Sequence, residues 1–227
     1  NARILEAGGG VGGTWYWNRY PGARCDIPSL QYSYQFSKEL EQEWEWKERY
    51  AAQPEIMAYA EHVVERFNLG SDIQFNTRVA SAHFNDKASR WQITTEAGEK
   101  FSAQYCVMAT GCLSVPQRPD IPGLDDFKGD LYQASLWPHE GVDFAGKRVG
   151  VIGTGSSAIQ AIPIIAEQAG HLTVFQRTPN FSVPAVNGVL DPKWVAEFKQ
   201  NYRGHRRNHK LGFGRGFGDA ALSFTQL

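Results

Sequence analysis

The small-residue run Gly153-Thr154-Gly155-Ser156-Ser157-Ala158 limits the fold of this chain more than any other feature. Ahead of it, Lys147-Arg148-Val149-Gly150-Val151-Ile152 has the make-up of a buried strand. Behind it, an apolar segment with helical character runs from about Ser156 through Ala169, where Pro163 is expected to kink the helix or remove one hydrogen bond. Leu172-Thr173-Val174-Phe175-Gln176 reads as the next strand and ends at Arg177. A lone glycine motif says little, but strand, glycine turn, helix and second strand together form a dinucleotide-binding unit. Its small positions allow a tight turn, close approach of a pyrophosphate and close helix–strand packing, and the helix N-terminus favours phosphate charge. An acidic residue at the end of the second strand suits NAD; Arg177 presents instead a planar cationic fork for the 2′-phosphate of NADP.

The rest of the composition describes an ordinary globular chain of 227 residues, 42% hydrophobic and 21% charged, with a net charge of −1. That balance gives no electrostatic reason to expect nucleic acid or an anionic membrane as a partner. No run of about eighteen apolar residues is present to cross a bilayer. The three cysteines, Cys25, Cys106 and Cys112, fall in no CxxC arrangement and read as reduced thiols, which leads to an expected cytoplasmic location. His205 and His209 share helical spacing but lie among cations, so the expectation is a solvated basic helix face and no metal. Asn1 to Glu6 reads like the middle of a domain, and the expectation is a piece of a larger protein.

A second dense stretch runs from Gly12 to Asp26: Gly-Gly-Thr-Trp-Tyr-Trp-Asn-Arg-Tyr-Pro-Gly-Ala-Arg-Cys-Asp. Glycines beside large aromatics suit a wall along which a flat ligand lies close to the backbone. Arg3-Ile4-Leu5-Glu6 ahead of it is short, apolar and acid-terminated, as the second strand of a dinucleotide unit would be. Glu6 then accepts hydrogen bonds from a ribose, or is a solvated glutamate at a strand end. Gly8 to Gly13 follows that strand and does not replace the phosphate-cradling glycines of a first one. Residues 54–67 have helical spacing. The stretches 73–75, 78–84, 90–95 and 100–108 read as short strands, and Tyr32 to Phe36 alternates like a strand or an aromatic-lined loop.

The spacing Gly-Gly-x-Trp, four residues, Tyr-Pro-Gly, three residues, Asp resembles the flavin-side motif of type I Baeyer–Villiger monooxygenases at every specified position. Ala109-Thr110-Gly111 resembles the strand end at which two-dinucleotide flavoproteins cross between flavin and NADPH domains. Phe127, Gly129, Trp137 and Pro138 match the fingerprint Phe-x-Gly-x-x-x-His-x-x-x-Trp-Pro/Asp, with Gln133 where the family has His. Glutamine keeps hydrogen-bonding capacity but loses titration, so weaker activity or an altered pH profile is expected without a change of reaction class.

The resemblance implies an α/β fold of two Rossmann-like dinucleotide-binding domains, both truncated, with three-layer ββα/βαβ character. An FAD-binding domain spans 1–113, a fingerprint linker 114–145 and an NADP-binding domain 146–227. It implies FAD contacts at Glu6, Gly12, Gly13, Thr14, Trp15, Asp26, Tyr32 and Val79. NADP contacts fall at Arg24, Cys25, Gly153, Thr154, Gly155, Ser156, Ser157, Ala158, Arg177 and Thr178. Asp26 is the candidate functional carboxylate, orienting an active-site arginine that the family carries in a segment beyond residue 227. The implied reaction uses FAD, NADPH and O2 to insert one oxygen beside the carbonyl of a small-molecule ketone via a C4a-peroxyflavin, giving an ester or lactone. Two other readings stay open: an N-hydroxylating or S-oxidising flavin monooxygenase, and a nucleotide-binding module without catalysis of its own.

Overall fold

The computed structural model describes residues 2–211. In chain order the elements are β1 (Ile4–Leu5), α1 (Thr14–Trp17), α2 (Ser29–Tyr32), α3 (Lys38–Glu43), α4 (Gln53–Arg66), β2 (Ile73–Gln74), β3 (Val79–Asn85), β4 (Arg90–Thr95) and β5 (Lys100–Ala103). They continue with β6 (Arg148–Ile152), α5 (Ser156–Gln168), β7 (His171–Phe175), α6 (Pro192–Gln200) and α7 (Tyr202–Leu211). The fold is mixed α/β. The chain divides into two compact units, one of Asn1–Arg19 with Met57–Gly141 and one of Tyr20–Ile56 with Val142–Leu227.

In the first unit β1 and β2 pair in parallel, with Ile4 opposite Ile73. β3, β4 and β5 form an antiparallel sheet with Asn85 opposite Arg90 and Trp91 opposite Ala103. The strand expected over 100–108 ends at Ala103. Beyond Ala103 the chain has no neighbouring strand among the described residues, so its donors and acceptors find no ladder. Tyr105 and Val107 are accordingly 78% and 88% exposed. α4, whose first turn through Ile56 is assigned to the second unit and whose remainder from Met57 belongs to this one, forms where the spacing places it: Glu55 lies in its first turn and Arg66 in its last, each complementing the helix dipole. Ile56, Tyr59 and Val63 fall on one buried stripe of it. Asn68 follows in the left-handed region at φ 51, where helices commonly stop.

In the second unit β6 and β7 pair in parallel from Arg148 opposite His171 to Ile152 opposite Phe175, with α5 as the crossover between them. Pro163 lies inside α5 without ending it. The alternation at Tyr32 to Phe36 is not a strand: α2 takes Ser29–Tyr32 and bends follow, because Ser29 turns inward to bond the carbonyls of Glu48 and Arg49. α6 is capped by Asp191, whose carboxylate accepts from the Lys193 amide at 2.8 Å, and Pro192 is set at its start. Leu30, Leu40, Trp46, Ala51, Phe198 and Tyr202 make the core of this unit.

α7 corrects the expectation of a solvated basic face. Arg206 is 6% exposed; its Nη1 donates to Glu41 Oε1 at 2.6 Å and its Nη2 donates to the carbonyls of Leu30 and Ser33. The guanidinium lies 4.3 Å from the centre of the Tyr202 ring. His205 stacks on Phe198 at 4.5 Å between ring centres. The side chain of His209 and the glycine-rich stretch 212–217 lie outside the described residues.

Candidate functional site

The glycine turn takes the expected place. β6 ends at Ile152, Gly153 turns at φ 101 with its amide donating to the Phe175 carbonyl, and Gly155 leads into α5. No side chain caps α5, and a Cβ placed on Gly153 or Gly155 meets nothing within 4 Å. The first amides of α5, from Ser156 onward, thus lack a side-chain cap, and uncapped helix N-termini in general suit an anion. Thr154 is anchored from the far side: Asn180 Nδ2 donates to its carbonyl at 3.0 Å and to its Oγ1 at 3.1 Å, and Gln176 Nε2 donates to the same Oγ1. Arg177 and Thr178 come after β7 with Gln176 between, and both are exposed.

The segment from Tyr20 to Asp26 packs on α5 within the same unit. A Cβ on Gly22, at φ 74, would lie 2.3 Å from the Gln160 carbonyl oxygen, so glycine alone allows this approach. Burial raises the Tyr20 hydroxyl pKa, opposed by a side-chain hydrogen bond with Ser157, while the charge of Asp26 raises it further. Burial likewise pushes the Cys25 thiol up to about 11, partly offset by the Ile27 amide and increased by Asp26. Asp26 is exposed, and Gln160 Nε2 donates to its Oδ1 at 3.0 Å. Tyr32 is 38% exposed at the end of α2.

Arg24 turns its guanidinium away from α5. Nη1 donates to Glu48 Oε2 at 3.0 Å and to the Tyr50 carbonyl at 3.1 Å. Asn187 Nδ2 donates to the same Glu48 oxygen at 2.8 Å, while its Oδ1 accepts from the Tyr50 amide. The Asn187 bond first, and then Arg24, hold the Glu48 carboxyl below the usual carboxylate range. Val186 beside it takes φ 48, a strained conformation for a β-branched residue, where the chain is turned to deliver Asn187. A cavity of about 440 Å³ in this unit, lined by Leu30, Arg49, Val189, Leu190, Trp194 and Phe198 among others, includes none of the residues expected to bind nucleotide.

The remaining flavin-side candidates fall in the first unit. Glu6 Oε1 accepts from the Gly8 amide at 2.6 Å, and its Oε2 makes no hydrogen bond among the described residues. Gly8, Gly9 and Gly10 wrap the Tyr16 ring, and Gly9 donates to Tyr16 Oη at 3.1 Å. Gly12 takes φ 109 at the entry to α1, a backbone conformation that favours glycine, with Met57 of α4 beside it. Gly13 and Thr14 are exposed, Trp15 is half-buried, and Val79 is 41% exposed at the start of β3.

In the fingerprint, Phe127 is exposed with its ring against Gly129, and the Trp137 ring lies 5.6 Å from Tyr132. Pro138 closes a turn by accepting from the Gly141 amide. Gln133 Nε2 donates to the Gln117 carbonyl at 2.9 Å, a bond that one ring N–H of a histidine would also make. His139, just beyond, packs edge-on against Tyr16 at 5.1 Å. Among the described residues no group of three His, Cys, Asp or Glu is placed to hold a metal, and no helix is long and apolar enough to cross a membrane.

The sequence reading passed over Gln160, Glu48 and Asn187. Gln160 left a trace: it is the single polar residue in the apolar run from Ala158 to Ile165. Glu48 and Asn187 left none, because their pairing joins parts of the chain 139 positions apart.

This chain belongs to the pyridine nucleotide-disulphide oxidoreductase family, whose model matches residues 24–211. The resemblance to Baeyer–Villiger monooxygenases is borne out among its relatives. It is 47% identical over 192 residues to a cyclohexanone 1,2-monooxygenase of Acinetobacter, covering 85% of this chain and 35% of that protein. It is 46% identical over 200 residues to a phenazine N-monooxygenase of Lysobacter antibioticus, covering 88% of this chain and 37% of that protein. Among solved structures, an oxidised steroid monooxygenase bound to NADP superposes with a TM-score of 0.86 at 58% identity, over 91% of this chain and 40% of that one. The chain thus spans somewhat over a third of the length of the relatives it matches.

Proposed function

We propose that this chain forms part of an FAD- and NADPH-dependent monooxygenase that inserts one oxygen atom of O2 beside the carbonyl of a small ketone, giving an ester or lactone. The observation that carries the reading is the uncapped start of α5 at the Gly153–Gly155 turn, with Arg177 and Thr178 one residue beyond the end of β7. The resemblance at residues 12–26 and the relatives' activities support it. In this reading β6, α5 and β7 belong to an NADP-binding Rossmann domain, and β1, α1 and β2 to an FAD-binding one, joined through the fingerprint at 127–138. The α5 amides and Ser156 hold the pyrophosphate, and Arg177 with Thr178 holds the 2′-phosphate. Glu6 offers Oε2 to the flavin ribose beside Gly12, Gly13, Thr14 and Trp15, with Tyr32 and Val79 along the flavin. Arg24 and Cys25 flank the nicotinamide path, and Asp26 orients a catalytic arginine supplied by the longer protein. FAD reduced by NADPH supplies the oxygen-transfer chemistry; the residues of this chain bind, orient and exclude water. The free thiols Cys25, Cys106 and Cys112 fit a cytoplasmic setting.

The test is NADPH oxidation by the full-length holoenzyme with a cyclic and an aryl ketone, the products weighed by mass spectrometry. A product one oxygen heavier than the ketone supports the reading, and hydrogen peroxide as the sole product refutes it. The phenazine N-monooxygenase relative favours a second reading, oxygenation of a heteroaromatic nitrogen. An N-oxide formed from such a substrate, with ketones untouched, would establish it instead.

A further inference from the structure

We infer that Gln160 is the positioning residue that holds the Asp26 carboxylate and the Arg24 backbone in place on α5. The inference deepens the proposed function and rests on it for the role of Asp26. Gln160 lies one turn into α5, on the face it shares with Ser157 and Ile164. Its Oε1 accepts from the Tyr20 hydroxyl at 2.9 Å and from the Arg24 amide at 3.2 Å. Its Nε2 donates to the Arg24 carbonyl at 3.1 Å and to Asp26 Oδ1 at 3.0 Å.

These four bonds use the whole capacity of a side-chain amide, two lone pairs and two hydrogens, on three residues of one segment. They also fix which way round the amide lies. A peptide N–H only donates and a peptide C=O only accepts, so the oxygen must face the Arg24 amide and the nitrogen must face the Arg24 carbonyl. The nitrogen is then committed to the Asp26 side, where it donates to Oδ1. Gly22 is what lets the segment come near enough, since any Cβ there would strike the Gln160 carbonyl.

No other residue type satisfies this set. Asparagine is a methylene too short, methionine fills the space without donor or acceptor, and glutamate turns a carboxylate oxygen towards Asp26 Oδ1 and the Arg24 carbonyl. The titratable groups facing this position are Tyr20 and Asp26; Arg24 presents its backbone here while its guanidinium is held by Glu48. Helix α5 thereby connects the glycine turn to the candidate functional carboxylate through one side chain. Nucleotide held at the first turn of α5 and the aim of Asp26 are referred to the same rigid element.

The test uses the full-length, FAD-loaded enzyme carrying Gln160→Glu, Gln160→Met or Asp26→Asn, and the double variant Gln160→Glu/Asp26→Asn. The first readout is the melting temperature at pH 5.5 and pH 8. At either pH the deficit of Gln160→Glu is expected to exceed that of Gln160→Met by several degrees, since the new side chain sets a second carboxylate against Asp26 Oδ1, and to lose most of that excess in the Asp26→Asn background. The second is steady-state turnover of Gln160→Met. Its kcat is expected to fall about tenfold, with more peroxide released per NADPH and an NADPH KM within about threefold of wild type, since only the carboxylate has lost its aim. A Gln160→Glu deficit that Asp26→Asn does not relieve overturns the contact. Wild-type kcat and peroxide yield in Gln160→Met overturn the positioning role. If the wild-type flavin is not reduced by NADPH at all, the proposed function has failed in the control, and the relief of the Gln160→Glu deficit by Asp26→Asn alone then decides for or against Gln160.

Discussion

The buried pair of Arg206 and Glu41 offers the sharpest test of the packing of the second unit. Both side chains are 7% exposed, so each charge depends on the other and not on water. Breaking such a pair from one side costs about 3–5 kcal/mol, while replacing both members with apolar residues is often close to neutral. In Glu41→Leu the guanidinium keeps the carbonyls of Leu30 and Ser33 and the Tyr202 ring, which sets the cost near the lower end, about 3 kcal/mol. Arg206→Leu leaves the carboxylate without a cation and the Ser33 carbonyl without this donor, while Leu30 still accepts from the Tyr202 hydroxyl at 2.5 Å. Its cost lies nearer the upper end, about 4–5 kcal/mol. The double variant Glu41→Leu/Arg206→Leu leaves no buried charge and one weakened carbonyl, a deficit of about 1–2 kcal/mol. Guanidinium unfolding of all four proteins, followed by near-ultraviolet circular dichroism, measures each difference from the midpoint and slope. The double variant must be more stable than either single one. If its deficit instead equals the sum of the two singles, the charges are not coupled and the burial of this pair is wrong.

Four further outcomes follow from the same geometry. Cys25, with its thiol raised to about 11, carries roughly one thiolate in 10⁴ at pH 7, so iodoacetamide will label exposed Cys112 well before it, as peptide mapping by mass would show. Glu48 has a lowered pKa when folded, so it stabilises above the ordinary carboxylate range and that contribution is lost as pH falls through the folded value. Asn187→Ala should flatten the acid limb of the melting curve, and an unchanged limb would refute the network. Gly22→Ala should cost about 2–4 kcal/mol, from the left-handed backbone together with the clash on Gln160, and a loss below 1 kcal/mol in denaturant titration would contradict the close approach. Arg177→Ala should weaken NADPH binding about tenfold or more and leave NADH binding alone; an unchanged ratio of dissociation constants would remove Arg177 from the phosphate site.

Local pattern carried much of this fold. The 3.6-residue stripe of Ile56, Tyr59 and Val63 announced α4, and the glycine turn between two apolar runs announced β6, α5 and β7. Failures arose where an element's partner is distant in sequence. Residues 100–108 look uniformly strand-like, yet only the part with a partner in β4 becomes strand. The basic run around Arg206 looks solvated because its acidic partner lies 165 positions away. Site legibility divides in the same manner. Gly153, Gly155 and Arg177 stand at positions that turn geometry and strand ends dictate. Gln160 and Glu48 act by reaching across the fold, and nothing in their neighbours' identities reports where they reach.

The strained Val186 and its neighbour Asn187 give the chain that follows β7 a say in the state of Arg24. Asn187 and Arg24 share one oxygen of Glu48, so the three groups rise or fall as a set. A displacement of the chain at Asn187 therefore also loosens the Arg24 guanidinium, and by reciprocity whatever draws on Arg24 alters the hold on Asn187. One carboxylate oxygen thus clamps two stretches of chain that lie far apart in sequence, and its loss frees both at once.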